Sequence, residues 1–522
     1  MKLELNRWLL LLTLGALGLR LGLALLVPHP GIGDPNHYYN LGRGLAAGRG
    51  FTIDYIWQYN DPPADISHPD DHWMPLAGVL AAGGLALNGG DGVFAALLPF
   101  IALGTLLVPL VYAAARQLGV GVGGSLFAAA AAAVLPELVL NSLRTDTTIP
   151  NAVLITVAVL LFNRALRTGG WAAFAGSGLA AGLAYLTRSD SILLLPALAG
   201  ALLLRWRWAG LPRQRWAGAL LLLVVALLTV TPWLLRNLQT LGYPTARETQ
   251  YMYFFTDQRD HYAYGQTFTL DTMLARQTPA QLIGKRLFEL AAGAKLMYTA
   301  LDVFLPVALL GGLALLIAAR DRQRLLTLSP ALLLLLAGWL FYALLVPYKA
   351  QSGSFKKVYL SVVPLLLPLA GCALERAISD RRLRLGAAVI ALALTAANAV
   401  ELVRADTAFT ARYRDYIAQV SAAARALPDT NGDGEIVLMA QDPFMFNSFG
   451  LRAVMLPLAD RAGVLEAARR YRVDYLMMPP DRPALDPLYT GDERDPRFVL
   501  AQAIRGTNAA LYRFDFDADA ND

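Results

Sequence analysis

The sequence predicts a polytopic α-helical membrane protein that ends in a small α/β domain. Of the 522 residues, 56% are hydrophobic and only 16% are charged, whereas soluble domains carry about 25% charged residues. Apolar runs near the roughly 20 residues that a helix needs to cross a bilayer recur as far as residue 403. Beyond that point, helix-like and strand-like segments alternate, which is typical of an α/β domain.

Eleven apolar segments are predicted to cross the membrane. They are residues 8–28, 93–115, 121–139, 147–164, 171–186, 190–204, 216–235, 296–319, 325–346, 358–376 and 385–403. The segments 171–186 and 190–204 are short, so a single re-entrant pair remains an alternative there. The first run is too long for the apolar core of a signal peptide, which indicates a retained anchor.

Basic residues predict which loops face the cytoplasm. Arginines crowd five short connections that alternate with acidic ones, and the N-terminus falls on the same side as the arginines. The members are Arg116; Arg164 and Arg167; Arg205, Arg207, Arg213 and Arg215; Arg320, Arg322 and Arg324; and Arg376, Arg381, Arg382 and Arg384. The N-terminus is therefore predicted to be cytoplasmic, in a cell inner or plasma membrane. The net charge of +6 reflects these topology signals, so a nucleic-acid partner is excluded.

Three regions are then predicted to be extracytoplasmic: the first outer loop, the loop 236–295 and the C-terminal tail, 404–522. The first outer loop, 29–92, contains a predicted amphipathic helix at 40–47 and an interfacial helix at 73–87. The loop 236–295 is rich in aromatic residues and ends in a predicted helix at 282–297. Its aromatic rings fit either a membrane-surface belt or a lid over a lipid-linked substrate.

The predicted division is a membrane domain, 1–403, and an α/β domain, 404–522. The elements predicted for the second domain are helices at 412–427 and 463–471 and strands at 435–439, 453–456, 474–478, 498–504 and 509–514.

Asp34 is the first candidate for chemistry, because it follows the first span closely. A carboxylate at that depth is partly dehydrated and suits proton transfer. The alternative is an Asp-Pro turn in which Asp34 caps the backbone of Asn36 or His37. His37 and Tyr38 beside it, and His72 later in the loop, are candidate substrate-binding residues.

The first outer loop resembles that of the GT-C membrane glycosyltransferases. The similarity rests on Gly33-Asp34-Pro35-Asn36-His37-Tyr38-Tyr39 and the glycine-rich turn up to Gly50-Phe51. Met74-Pro75-Leu76, the stretch 178–188 and the stretch 351–364 also look like this family. The branch it resembles contains dolichyl-phosphate-mannose protein mannosyltransferases and lipid A aminoarabinose transferase.

This resemblance implies a polyprenyl-phosphate-linked sugar as donor and transfer on the extracytoplasmic side. The family's acidic residue of the first loop maps onto Asp34. The usual Asp-Glu pair is Asp34-Pro35 here, so a role for a second adjacent acid does not carry over. The resemblance also includes an acidic residue in the loop that holds Asp146, which is the second catalytic candidate. Capping of the helix that follows it is the alternative for Asp146.

Cations must receive the charge that builds on a departing lipid phosphate. Lys349, Lys356 and Lys357 crowd one predicted outer connection, against the positive-inside trend. A Ser352-Gly353-Ser354 turn between them offers backbone N–H groups to a phosphate. Headgroup binding is the alternative for these lysines. Arg188 is a further candidate, and pairing with Asp190 is its alternative.

Other features carry weaker signals. His68 and His72 have the i, i+4 spacing of a metal site, but Pro69 argues against a helix there, so a divalent metal stays open and no residue is assigned as a metal ligand. The single cysteine, Cys372, excludes a disulfide framework. The run 429–434 resembles the start of a calcium loop but lacks its final Glu, which indicates a turn. Arg20, inside the first span, is expected to face the bundle or to reach outward toward the donor phosphate.

The function predicted from these features is transfer of a sugar from a polyprenyl-phosphate donor to an extracytoplasmic acceptor, a protein, lipid or glycan, with inversion. Membrane lipid is the other expected partner. A transporter or flippase of lipid-linked saccharide is the alternative, although no internal repeat supports it. A third reading, a glycan-binding protein with a membrane anchor, does not explain eleven spans.

Overall fold

The computed structural model describes residues 7–90, 92–302, 304–348 and 350–518. The helices are α1 (Arg7–Ala24), α2 (Asp34–Ala46), α3 (Leu76–Ala86), α4 (Val93–Gln117), α5 (Val122–Val134), α6 (Pro136–Asn141), α7 (Thr148–Thr168), α8 (Trp171–Thr187), α9 (Leu194–Ala209), α10 (Arg213–Thr240), α11 (Leu270–Arg276), α12 (Pro279–Thr299), α13 (Phe304–Ala318), α14 (Arg322–Leu340), α15 (Lys356–Ala377), α16 (Arg381–Ala426), α17 (Pro443–Ser448), α18 (Arg461–Arg470) and α19 (Asp486–Thr490). The strands are β1 (Thr52–Ile56), β2 (Ser67–Pro69), β3 (Val437–Ala440), β4 (Arg452–Met455), β5 (Tyr475–Met478), β6 (Phe498–Ala503) and β7 (Ala510–Phe514). Two π-helical turns, Phe341–Leu345 and Gln351–Phe355, adjoin α14 and α15.

The protein is a multi-pass membrane protein. Among the described residues, eight helices are long and apolar enough to cross a bilayer, or nine if the bent pair α12 and α13 forms one span. All eleven predicted segments contain helix, and the count of eleven stays a prediction. The segments 171–186 and 190–204 are separate helices, α8 and the helical stretch Ser189–Ala209.

The predicted span 121–139 is broken after α5. Leu135 is extended, because the residue before a proline avoids the helical region, and Pro136 has no N–H to donate to the Ala132 carbonyl. Arg20 fills this gap from α1: its guanidinium donates to the carbonyl oxygens of Ala132 (3.4 Å) and Ala133 (2.9 Å). Arg20 is fully buried, so it faces the bundle interior and does not reach outward.

The arginine-rich connections lie together at one end of the bundle, here called the basic end. Nη2 of Arg324 donates to the Gly119 carbonyl at 2.9 Å, and the Glu375 carboxylate accepts the N–H of Gly121 at 3.0 Å. Arg215 donates to a carbonyl near the end of α7. These contacts tie the ends of α4, α7 and α15 and the starts of α5, α10 and α14 into one layer, as the charge pattern predicts. Which side of a membrane this layer faces remains a prediction.

The first outer loop forms two helices that pack closely. The predicted helix at 40–47 starts earlier, at Asp34, and is α2; the predicted interfacial helix is α3. Close approach is possible because Gly42 of α2 faces α3, where an added Cβ would lie 2.8 Å from that of Ala81. Gly33, with φ of 70°, lets the chain turn into α2.

The five C-terminal strands belong to a seven-stranded sheet in the order β2-β1-β4-β3-β5-β7-β6. All seven elements predicted for this region are present in helix or strand form. The sheet also takes up β1 and β2 from the first outer loop, which the sequence did not predict. Tyr55 of β1 pairs in parallel with Ala453 of β4. The helix α16 runs unbroken through the predicted domain boundary at residue 403.

Candidate active site

Lys357 lies between the two carboxylates that the sequence singled out. Its Nζ is 2.9 Å from Oδ2 of Asp34 and 2.8 Å from Oδ2 of Asp146. We call these three residues the lysine bridge. Asp146 is almost fully buried, with 3% of its side chain exposed, whereas 45% of the Asp34 side chain is exposed. Asp34 is therefore the member that a substrate can reach.

The start of α2 aims Asp34 at the site. The N–H groups of Asn36 and His37 are bonded to the Gly33 carbonyl, so the predicted capping alternative for Asp34 is wrong. Its other oxygen, Oδ1, accepts a long bond from Nε1 of Trp73 at 3.4 Å. Burial opposes ionisation, but the Lys357 ammonium outweighs it and lowers the pKa of Asp34 below its ordinary value. Asp34 is thus held as a carboxylate.

Asp146 caps the start of α7, which is the alternative that its sequence left open, and it also pairs with Lys357. Oδ1 accepts the backbone N–H of Thr148 at 3.1 Å and the hydroxyl of Thr147 at 3.0 Å, which fixes the start of α7. Oδ2 pairs with Lys357. Burial opposes its ionisation, yet Lys357 and these hydrogen bonds lower the pKa of Asp146 well below its ordinary value. The group is a fixed negative charge that positions the lysine.

Arg188 is paired with Asp190, which was the alternative to binding the donor phosphate. Nε lies 3.1 Å from Oδ1 and Nη2 lies 2.5 Å from Oδ2 of Asp190, a bidentate contact. The phenol of Tyr342 donates to the same carboxylate at 2.6 Å. The third guanidinium nitrogen, Nη1, donates to the Thr147 hydroxyl at 3.3 Å, beside Asp146. Arg188 therefore borders the lysine bridge, although Asp190 neutralises much of its charge.

Lys356 directly precedes Lys357 at the start of α15. Its Nζ pairs with Oε1 of Glu137 at 2.6 Å, and 30% of its side chain is exposed. The predicted Ser-Gly turn before it is the π-helical turn that runs directly into α15. Lys349, the third lysine of the predicted cluster, lies outside the described residues.

The three predicted substrate-binding residues of the first loop differ in their access. His37 is fully buried between Tyr55, at 2.5 Å, and Oδ2 of Asp70, at 3.4 Å, and its ring stacks on Trp73. It supports the site from behind and cannot touch a substrate in this conformation. Tyr38 is buried close to Asp34 and Asp146; burial and then these two charges raise the pKa of the Tyr38 phenol well above its ordinary value, so the phenol stays neutral.

His72 contacts the loop 236–295 and packs its ring against Trp73. Its Nδ1 contacts the buried carboxylate of Glu248. Burial alone would lower the pKa of His72, but Glu248 outweighs burial and the pKa is raised. His72 therefore links the two outer loops, a role that the sequence did not assign to it.

The weaker signals resolve into structural features. His68 sits in β2, so the helical spacing that would bring His68 and His72 together is absent. The described residues contain no group of three or more His, Cys, Asp or Glu side chains placed to hold a metal ion. In the predicted turn, the Asp429 carboxylate accepts the N–H groups of Asn431, Gly432 and Gly434.

Comparisons with known proteins bear on the fold of the chain. The family model of dolichyl-phosphate-mannose-protein mannosyltransferase matches residues 67–235, which include Asp146 and Arg188. A comparison with curated proteins gave no match. Among solved structures, ArnT from Cupriavidus metallidurans bound to undecaprenyl phosphate is 17% identical, with a TM-score of 0.59 over 98% of each chain. The archaeal oligosaccharyltransferase AglB from Archaeoglobus fulgidus, with an inhibitory peptide and a dolichol-phosphate, is 14% identical, with a TM-score of 0.57 over 90% of this chain and 69% of its own.

The chain has the GT-C fold. The GT-C fold that the resemblance implied is thereby confirmed. The family model begins after α2, so Asp34 lies outside the matched part, and its candidacy rests on the geometry of the lysine bridge.

Some residues of this candidate site were missed by sequence reasoning. Glu137 and Tyr342, the partners of Lys356 and Asp190, lie inside predicted apolar spans. An ionisable residue within a span marks a functional site by default, so Glu137 carried a usable signal. Trp73 and Glu248 carried none, because only the folded loops bring them to Asp34 and His72.

Proposed function

We propose that this protein is an integral-membrane glycosyltransferase that moves a sugar from a polyprenyl-phosphate donor to an extracytoplasmic acceptor. The observation that carries the proposal is the lysine bridge: one ammonium between two carboxylates, of which only Asp34 is open to a substrate. The two structural neighbours were solved with undecaprenyl phosphate and with a dolichol-phosphate bound, which supports a lipid-phosphate donor here.

Cations on α15 are suited to receive the donor phosphate. Lys356 and Lys357 follow directly on the π-helical turn, and the N–H of Lys356 is already bonded to the Gln351 carbonyl. The two ammonium groups are therefore the groups of this segment that can hold a phosphate, through charge-assisted hydrogen bonds. Lys357 is held between its two carboxylates, so Lys356 would contact the phosphate directly, and the phosphate would lie across the sugar from Asp34.

The chemistry is a single displacement. The acceptor hydroxyl donates a hydrogen bond to Asp34, and its oxygen forms a bond with the anomeric carbon. The bond from that carbon to the phosphate oxygen breaks, and its electron pair leaves on the polyprenyl phosphate. The proton passes to Asp34. Because Lys357 lowers the pKa of Asp34, Asp34 takes the proton late, after the new bond has largely formed, and earlier it orients the hydroxyl. Attack opposite the leaving group inverts the anomeric centre.

The proposed sidedness follows from charge. With the basic end in the cytoplasm, the lysine bridge, both outer loops and the seven-stranded sheet face outward. A polyprenyl chain would then lie in the membrane, with its sugar phosphate at α15. The acceptor is a protein, lipid or glycan on that side.

The test measures release of polyprenyl phosphate from synthetic polyprenyl-phosphate sugars by purified protein in lipid nanodiscs, with water or an added glycan, lipid or peptide hydroxyl as the acceptor. Wild type is compared with Asp34→Asn and with Asp65→Asn, an exposed carboxylate of the same loop. We expect Asp34→Asn to lose at least about 100-fold in turnover while its melting temperature is kept, and Asp65→Asn to behave as wild type. Normal turnover by Asp34→Asn would refute the proposal. Movement of intact donor across liposomes without release of lipid phosphate would favour a flippase instead.

A further inference from the structure

A polar cavity lies beside α2, between the first outer loop and the C-terminal region. Its volume is about 200 Å³, whereas a single water needs roughly 10–15 Å³ of such space. The residues that matter for its chemistry are His29, Tyr39, Arg43, Arg414 and Phe449. The cavity can therefore take a ligand of the size of one sugar ring.

This cavity is separate from the lysine bridge. With 3.6 residues per turn, Arg43 lies about 180° and Tyr39 about 140° around α2 from Asp34. The cavity residues Arg414 and Phe449 come from α16 and the end of α17. A helix with its side chains is about 10 Å across, so a ligand in the cavity would not touch the reacting atoms.

His29 is the clearest sign of a missing partner. It lines the cavity, is 1% exposed, and neither of its ring nitrogens has a hydrogen-bond partner among the described residues. A buried polar group without a partner costs about 1–3 kcal/mol. A neutral imidazole offers one donor and one acceptor, which matches a hydroxyl group.

Two guanidinium groups give the cavity positive charge. Arg43 donates to the Ser448 carbonyl at 3.4 Å, and Arg414 donates to the Pro28 carbonyl at 2.5 Å. Neither forms an ion pair with a carboxylate within the ranges that the structure describes. The nearby Arg144 is already neutralised by Asp406 at 2.5 Å. Arg43 and Arg414 thus keep free donors for a carboxylate or phosphate.

The remaining walls suit a ring, and a larger space adjoins them. Tyr39 and Phe449 present aromatic rings. The guanidinium carbon of Arg43 lies 5.9 Å from the centre of the Tyr39 ring, and that of Arg414 lies 5.3 Å from the centre of the Phe449 ring. Arg43 also lines a more open cavity of about 620 Å³ that runs past Arg49, Asp54 and Arg452. A chain of sugar residues could continue from the small cavity into the larger one.

We propose that the cavity at His29 binds a residue of an acidic glycan, one that carries a carboxylate or a phosphate on a hydroxylated ring. Arg43 and Arg414 hold the anion and His29 holds a hydroxyl. The site goes beyond the proposed transfer reaction, because binding there needs neither a donor nor turnover. Bound glycan would be kept at high local concentration next to the lysine bridge.

The test is ligand-observed NMR on the purified full chain in nanodiscs, with four probes: glucuronate, glucose 6-phosphate, glucose and inorganic phosphate. We expect glucuronate and glucose 6-phosphate to bind at least about tenfold more tightly than glucose, and Arg43→Gln to weaken them about tenfold. Arg414→Gln should do the same. The matched control is Arg412→Gln, an exposed arginine two residues away on α16, which should leave binding unchanged.

Asp34→Asn separates this inference from the proposed function, since it should abolish transfer and leave glucuronate binding intact. Arg43→Lys, with melting temperatures for every variant, guards against a folding defect by restoring charge. Equal binding of glucose and glucuronate would overturn the inference. So would binding that Arg43→Gln leaves unchanged in a folded protein, or binding of inorganic phosphate without either acidic sugar.

Discussion

Nζ of Lys357 lies 2.9 Å from Oδ2 of Asp34, across 323 positions of the chain. This contact joins the start of the outer-loop helix α2 to the start of α15. Lys357 also neutralises Asp146, so it keeps one exposed and one buried carboxylate ionised within a few ångströms of each other.

Replacing Lys357 by Met should destabilise the fold, because Asp146 would be left as a buried charge without its cation. Breaking a buried pair in this way costs about 3–5 kcal/mol. Thermal unfolding in nanodiscs measures the loss. Adding Asp146→Asn to Lys357→Met should recover most of it, since the uncompensated charge is then gone. Equal stability of the single and double variants would contradict the proposed role of Asp146.

Lys356→Gln should raise the KM for the polyprenyl-phosphate donor about tenfold with a smaller change in kcat. The expected cause is loss of one charge-assisted contact to the donor phosphate, which is worth about 1.5 kcal/mol or more. Steady-state kinetics over a range of donor concentrations measures it. Lys295→Gln, an exposed lysine on α12, is the control and should change neither constant. An unchanged KM in Lys356→Gln would remove Lys356 from the donor site.

The link between His72 and Glu248 should weaken as the pH rises. The pKa of His72 is raised in the folded protein, so its stabilising effect is complete below the ordinary value of 6.5 and is lost as the pH rises through the folded value. Hydrogen exchange of residues 247–254, corrected for intrinsic rates, should therefore be slower at pH 6 than at pH 8.5.

The ionisation of Asp71 also affects the hydrogen exchange of residues 247–254. Burial and the nearby Glu248 raise the pKa of Asp71 well above its ordinary value, and its ionisation at higher pH also repels Glu248. The pH dependence should persist in Asp71→Asn, shrink in His72→Gln and vanish only when both residues are replaced. Identical exchange at both pH values in the wild type would show that this pair does not hold the loop.

Gly42→Ala should separate α2 from α3. The added Cβ would lie 2.8 Å from Cβ of Ala81 and 3.1 Å from the Ala82 nitrogen, and overpacking of this kind costs about 1–3 kcal/mol. The control is Gly83→Ala, because nothing lies within 4 Å of its added Cβ and alanine favours a helix. Melting temperatures should fall for the first variant and hold or rise for the second. The reverse order would contradict the described packing of the loop.

Local pattern was enough to predict most elements, and single residues were enough to suggest the site. Apolar length gave the helical segments, and alternation gave the strands of the C-terminal sheet. Asp34, Asp146 and Lys357 each stood out because they are charged next to apolar runs. That one lysine joins both carboxylates was not predictable, since the contact depends on how α2, α7 and α15 pack.

The largest surprise is the sheet. The segments that form β1 and β2 are short, and Pro69 sits within the second, so neither reads as a strand by itself. They become strands because β4 offers β1 a parallel edge. Pairing over such a separation leaves no trace in a local window of sequence.

This sheet also sets an order of events during synthesis. Asn40 of α2 hydrogen-bonds to the carbonyl of Phe444, 404 positions later. Likewise, β1 can pair with β4 only after a similar length of chain has been synthesised. At about 5–20 residues per second, a ribosome takes on the order of 20–80 s to cover that interval. Throughout this time the first outer loop is outside the ribosome with one edge unpaired. Asp34 of a growing chain therefore reaches its final surroundings only after most of the 522 residues have been made.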